Sequence, residues 1–151
     1  MSEEKKPKFL IIDASNSILG RLASHIAKLL LSGQKVVVVN AEKAVISGNR
    51  RHIVEEYKHR LERRTLTAPW KGPFQPRRPD FIFKRTVRGM LPYDKPKGRE
   101  AYKRLRVYIG VPKDYENVEF IRFEDTDVKN LKGPYIYLYD LSSELGFYIE
   151  K

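Results

Sequence analysis

The sequence predicts an α/β sandwich with a mostly parallel sheet, followed by a C-terminal extension. Three observations carry this. Short apolar runs alternate with stretches of helical periodicity, in the order strand, helix, strand, strand, helix, helix, strand. One run, VVVV at 36–39, cannot alternate between core and solvent. It is therefore covered on both faces, as strands of parallel sheets are. Beyond residue 113 the composition turns acidic and tyrosine-rich.

Taken in order, FLIID (9–13) is a short buried strand. The next segment, SNSILGRLASHIAKLLLSG, repeats Leu19, Leu22, Ala23, Ile26, Ala27 and Leu30 at helical spacing. Asn16 or Ser17 is placed to cap its start and Gly33 to close its end. VVVVN (36–40) and AVIS (44–47) are two further strands. NRRHIVEEYKHRLERR (49–64) puts Ile53, Val54, Tyr57 and Leu61 on one stripe of a second helix. In residues 65–79, Pro69, Pro73, Pro76 and Pro79 exclude helix and central strand, so this is an exposed loop. DFIFKRTVRGML (80–91) is a third helix, with Asp80 as its N-cap and Pro92 beyond its end. YDKPKG (93–98) reads as a loop, REAYKR as a helical turn or two, and LRVYIG (105–110) as a strand. In the last part VEFIRF and PYIYLY read as strand-like and DLSSELG as a short helix. The domain division that follows is an α/β core over 1–113 and an extension over 114–151. The extension packs on the core or on a neighbour.

A chain of 151 residues buries about 70% of its unfolded surface on folding, enough for one core without staples. There are no cysteines, so neither disulfides nor thiolate metal sites are expected. No apolar run approaches the 18 or so residues of a membrane span. The polar start, MSEEKKPK, lacks the apolar centre of a secretion signal. Nothing repeats at a fixed period.

Net charge is +11, and it is unevenly placed. Residues 1–49 carry net +3, residues 50–113 net +13 and residues 114–151 net −5. A basic block of this strength attracts polyanions, nucleic acid first.

Enzyme chemistry finds little support. The helix after the first strand begins SNSILGRLAS, with a single glycine, Gly20, and neither dinucleotide nor P-loop spacing. Gly20 is expected to permit close packing of helix on sheet. His25, His52 and His59 show no metal-binding spacing and read as solvated or salt-bridged. Asp13, at a strand end, reads as a turn former. No cofactor, metal or small-molecule substrate is implied.

Nucleic-acid chemistry is better supported. At about 100° per residue, the third helix places Ile82, Phe83, Val87 and Met90 on one side. Lys84, Arg85 and Arg88 fall on the other, with Arg77 and Arg78 just upstream. In the second helix, Glu56 precedes Arg60 and Glu55 precedes His59 by four residues, so those charges partly satisfy one another. The arginines of this helix therefore weigh less as binding candidates, except Arg50, Arg51, Arg63 and Arg64 at its ends. The proline-rich loop interleaves Trp70 and Phe74 with Lys71, Arg77 and Arg78. Aromatic faces stack on unpaired bases while cations hold phosphates. DKPKGREAYKR adds Lys95, Lys97, Arg99, Lys103 and Arg104.

These residues carry a resemblance. LGRLAS, VVVVNAEKAVISG, GPFQPRRPDFIFKRTVRGMLP and RLRVYIGVP, in that order over residues 9–113, resemble the universal large-subunit ribosomal protein thirteen family, in its archaeal and eukaryotic branch. The resemblance implies a three-layer α/β/α fold with a four-stranded parallel sheet. It also implies direct binding to large-subunit ribosomal RNA of the 23S type, neighbouring large-subunit proteins as partners, a cytoplasmic location in that subunit, and no enzymatic activity. Its RNA-facing stretches fall on Arg77, Arg78, Lys84, Arg85, Arg88, Lys95, Lys97 and Arg99. The residues after 113 follow neither the bacterial pattern nor the basic eukaryotic tail. Two other readings stay open on the residues alone: an α/β RNA-processing or nucleotide-dependent enzyme, and a regulatory RNA-binding protein acting outside the ribosome.

Overall fold

A computed structural model describes residues 9–148. The polar start at 1–8, read above for a secretion signal, and residues 149–151 of the extension lie outside the described residues. In chain order the elements are β1 (Leu10–Asp13), α1 (Leu19–Leu31), β2 (Val36–Val39), β3 (Val45–Ser47), α2 (Arg50–Glu62), α3 (Pro79–Gly89), α4 (Pro96–Lys103), β4 (Leu105–Val107), β5 (Tyr135–Tyr137) and α5 (Leu138–Glu144).

The fold is an α/β sandwich on a parallel sheet. β2 lies between β1 and β4 and pairs with both in parallel. All four valines of β2 are fully buried. Val36 and Val38 join Ile12 in the main core, while Val37 and Val39 join Ile11 in a second cluster on the other face. The run is therefore apolar on both sides because both faces are covered. The main core takes Leu22, Ile26 and Leu30 from α1, Ile82, Phe83 and Val87 from α3, and Ile53 and Val54 from α2. The second face is packed by Phe9, Tyr108, Val111, Tyr115 and Phe120. Apart from Phe9, these come from the irregular chain after β4.

β3 does not lie in the parallel ladder. It pairs antiparallel with β5, and a single parallel bridge from Val45 to Ile18 ties it to the start of α1. The reason is connection length. A single 3-10 turn, Ala41–Lys43, joins β2 to β3, far short of the dozen or so residues a parallel crossover requires. VEFIRF supplies one bridge, not a strand. The Ile121 N–H donates to the Ile11 carbonyl at 2.8 Å, and the Asp13 N–H donates to the Ile121 carbonyl at 3.2 Å. This contact blocks the outer edge of β1.

Several local expectations are corrected. Neither Asn16 nor Ser17 caps α1; the N-cap is Ile18, without a side-chain bond. Asn16 adopts the left-handed conformation, and its amide oxygen accepts the Tyr137 hydroxyl at 2.9 Å. Gly33 closes α1 as expected, in the left-handed region, with its N–H on the Leu30 carbonyl at 3.1 Å. Gly20 is exposed, and a Cβ there would meet no atom within 4 Å, so close packing does not explain it. Asp80 is not the N-cap of α3. That position is Arg78, and Asp80 sits buried in the first turn, where its carboxylate accepts from the Phe81 N–H (3.0 Å) and from Arg78 (3.2 Å). A carboxylate there suits the positive end of the helix dipole. Met90 is 42% exposed, because α3 ends at Gly89 and Leu91 turns inward in its place. α4 begins at Pro96, so Lys97 is helical. β4 ends at Val107.

The chain after 113 reaches the same core. Ile136, Leu138, Leu141 and Leu145 belong to the main cluster, and Thr126 accepts the Ile18 N–H at 2.7 Å through its carbonyl.

Candidate nucleic-acid interface

α3 organises the site. Its inner face buries Ile82, Phe83 and Val87 to 2% exposure or less, which fixes the rotation of the helix. The outer face then carries Lys84, Arg85 and Arg88 into a partly open position. No carboxylate pairs with these three among the described residues.

Aromatic rings hold Lys84 and Arg88 instead, and a backbone carbonyl holds Arg85. Lys84 Nζ lies 5.0 Å from the centre of the Tyr102 ring, and the Arg88 guanidinium lies 5.2 Å from that of Tyr93. Tyr93 and Tyr102 meet edge to face at 5.5 Å. Arg78 lies 4.9 Å from the Phe81 ring and 5.6 Å from that of Phe147, while also bonding Asp80. Arg85 donates to the Phe74 carbonyl at 3.1 Å and so pins the proline-rich loop to the helix. An aromatic support leaves the positive charge intact, whereas a carboxylate would neutralise it. Burial pushes the Tyr102 phenol above its ordinary value, Arg88 and Arg85 working against that and Tyr93 with it. Tyr102 is thus a neutral support for Lys84 at physiological pH.

The proline-rich loop stands out from the core. Trp70 is 69% and Phe74 67% exposed, with Lys71, Arg77 and Arg78 also exposed beside them. On the other flank Lys95, Lys97, Arg99 and Lys103 are exposed along the start and length of α4. Arg99 donates to the carbonyls of Tyr93 and Asp94, at 3.1 and 3.4 Å, and so steadies the 92–95 turn. The loop thus meets α3 through Phe74 and Arg85, and α4 meets α3 through Tyr102 and Lys84, with the exposed Lys71, Arg77, Lys95, Lys97 and Arg99 on the flanking segments.

The ends of α2 differ. Arg50 pairs with Glu144 at 3.2 Å and Arg51 with Glu55 at 3.1 Å, both exposed. Arg63 and Arg64 are exposed at the C-terminal end. Inside the helix Arg60 meets Glu56 at 2.6 Å as its spacing implies, but His59 lies near Glu62, at 3.9 Å, not Glu55. Arg104 turns inward. It donates to the Leu30 carbonyl at the end of α1 at 2.6 Å, and its Nε is buried without a partner.

Of the residues set aside earlier, Asp13 forms a turn, accepting the Ser15 N–H at 3.0 Å and the Asn40 amide at 3.1 Å. Its burial raises the carboxyl pKa, but the Ser15 and Asn40 hydrogen bonds, helped by Arg122, hold it below the ordinary value. His25 is bonded to Asp125 at 2.6 Å and stacked on Phe123. Among the described residues no three His, Cys, Asp or Glu side chains group as metal ligands. No helix there is long and apolar enough to cross a membrane.

Residues 7–114 match the family model described as Ribosomal protein L13. The chain belongs to this family. The large ribosomal subunit protein uL13 of Sulfolobus acidocaldarius is 51% identical over 140 residues, covering 92% of this chain and 94% of that protein. That of Saccharolobus solfataricus is 47% identical over 97% of this chain and 99% of its own length. That of Archaeoglobus fulgidus is 50% identical over 92% and 88%. The L13 family match takes in the whole loop, α3 and α4 surface. The alignments with these archaeal relatives continue past it into the acidic C-terminal segment. Membership makes the chain a structural ribosomal protein and not an enzyme.

The aromatic supports Phe81, Tyr93, Tyr102 and Phe147 were not singled out from the sequence. Phe81 and Tyr93 lie three and five residues along the chain from the cations they support, a spacing legible in the sequence, whereas Tyr102 lies 18 positions from Lys84. Phe147 has no local signal, because 69 positions separate it from Arg78.

Proposed function

We propose that this chain is a constituent of the large ribosomal subunit that binds and stabilises folded large-subunit ribosomal RNA of the 23S type. Its contact surface comprises the proline-rich loop, the outer face of α3 and the exposed side of α4. The observation that carries this is the array on α3. Its cations are fixed by aromatic rings and a backbone carbonyl, and Lys84, Arg85 and Arg88 are left unneutralised. Such a surface is pre-organised for phosphates, which supply most of the affinity for nucleic acid. Exposed Trp70 and Phe74 add faces for unpaired bases. Arg63, Arg64 and Lys103 extend the same field. Arg50 and Arg51 reach phosphate by exchanging an exposed and therefore weak carboxylate partner. Arg104 acts by holding α4 and β4 against α1. Neighbouring large-subunit proteins are the second class of partner, and the place of action is the cytoplasmic ribosome.

Sucrose-gradient sedimentation of a lysate tests this. Co-migration with large subunits after a high-salt wash is expected. A chain found only in the soluble fraction refutes the proposal.

A further inference from the structure

Between the proline-rich loop and α3 lies a cleft of about 260 Å³, lined by Phe74, Gln75, Pro76, Phe81, Arg85 and Tyr102. Sites for whole small ligands begin at about 300 Å³, so this one has room for little more than a single flat ring. Three of its six lining residues are aromatic. Phe74 is 67% and Phe81 47% exposed, although both belong to a chain with a well-filled core. Rings left open beside a cleft mark a contact surface. The loop wall does not hang free: Arg85, which also lines the cleft, holds it by its bond to the Phe74 carbonyl. The rim is cationic. Lys84 rests on Tyr102 and Arg78 on Phe81, the rings that form the far wall. The carboxylate nearest this wall in the sequence, Asp80, is buried and faces Arg78.

We propose that this cleft receives one unpaired RNA base, turned out of its strand and stacked on the Phe81 and Phe74 rings. Arg78 and Lys84 take the phosphates on either side. The inference rests on the RNA-binding reading above and adds what the surface recognises: an unstacked nucleotide at one fixed point, not a duplex backbone alone. The chemistry fits a base better than an aliphatic side chain. A base offers a π-face to the rings and hydrogen-bonding edges to the guanidinium, and its own backbone brings the negative charge that the rim requires.

The test uses the full chain and two probes. AMP and ribose 5-phosphate are titrated separately while the aromatic side-chain NMR signals are followed. AMP is expected to shift the Phe74, Phe81 and Tyr102 signals; ribose 5-phosphate, which has the phosphate but no ring, is expected to leave them in place. In parallel, Phe81→Leu and Phe74→Leu are titrated with in-vitro-transcribed large-subunit RNA. Each is expected to weaken binding by about tenfold, the scale of one lost stacking contact. For Phe74→Leu the slope of affinity against salt should not change, because no phosphate contact is removed; Phe81→Leu also takes away the ring beneath Arg78 and should lower the slope by at most about 1. Phe81→Tyr, which restores a π-face, should bind like the parent. Both rings are exposed, so melting temperatures should move little. Equal effects of AMP and ribose 5-phosphate overturn the inference, as does unchanged RNA affinity of both leucine variants. If the parent protein fails to bind large-subunit RNA at all, the functional reading itself falls. Steep, salt-dependent binding that ignores the leucine substitutions removes the cleft alone.

Discussion

The two faces of α3 should separate cleanly by mutation. On the inner face Phe83 is fully buried. Phe83→Ala removes a large side chain from a closed site and should cost about 3–5 kcal/mol. A domain of this size loses about 2–4 °C of Tm per kcal/mol, so the melting point should fall by roughly 6–20 °C. On the outer face Arg85→Gln with Arg88→Gln removes one solvent-exposed hydrogen bond, which water readily replaces and which is therefore worth only about 0.5–1.5 kcal/mol. It also removes one exposed cation–aromatic contact worth about 0.5–1 kcal/mol. The double variant should therefore melt only a few degrees early. Its effect should appear in RNA binding. If the parent neutralises about 6–10 phosphates, its affinity falls by roughly 10³–10⁵ between 50 and 200 mM salt. Loss of two phosphate contacts should lower the slope by up to about 2. The assay is thermal melting beside RNA titration at several salt concentrations. A double arginine variant that melts as early as Phe83→Ala, yet keeps the parental salt slope, would show that these arginines serve the fold and that the RNA surface lies elsewhere.

Other perturbations address different levels. A Cβ at Gly98 would lie 2.0 Å from the Pro92 carbonyl oxygen and 2.9 Å from the Tyr93 nitrogen. Gly98→Ala must therefore displace backbone between α3 and α4, and a loss of about 1–3 kcal/mol is expected in denaturant unfolding. No loss at all would mean that this close approach is absent in solution. Arg104→Ala breaks a bond from a charged donor to the Leu30 carbonyl. It should cost about 1.5–3 kcal/mol and leave the RNA salt slope unchanged; a lowered slope would place Arg104 on the RNA. Asp13 has a folded pKa below its ordinary 3.8. A depressed carboxyl stabilises the fold above the unfolded pKa, and that stability is lost as pH falls through the lower folded value. The Tm difference between the parent and Asp13→Asn should thus be constant above about pH 5 and shrink below about pH 4. A difference that grows in acid would contradict the sign of this shift.

The features legible in the chain were those set by local periodicity. The four valines of β2 announced a strand covered on both faces. Ile82, Phe83 and Val87 likewise declared which side of α3 turns inward, because a regular helix ties three residues on one stripe to a single orientation. The outward direction of Lys84, Arg85 and Arg88 followed without further information. Tertiary structure decided whatever depended on partners distant in sequence. β3 left the parallel sheet because too short a connection follows β2 and because β5, some ninety positions later, supplied another edge. Met90 lay on the apolar stripe of an ideal helix, but α3 stops one residue before it and Leu91 takes the inward place. Arg104 looked like one more cation in a basic run until the end of α1 offered it a carbonyl. The aromatic supports beneath the α3 cations were visible only in part. Phe81 and Tyr93 lie near their cations in the chain, whereas Tyr102 reaches Lys84 and Phe147 reaches Arg78 only through the fold. A helical pattern fixes the direction in which a side chain points, but what it meets there depends on chain segments that no local spacing records.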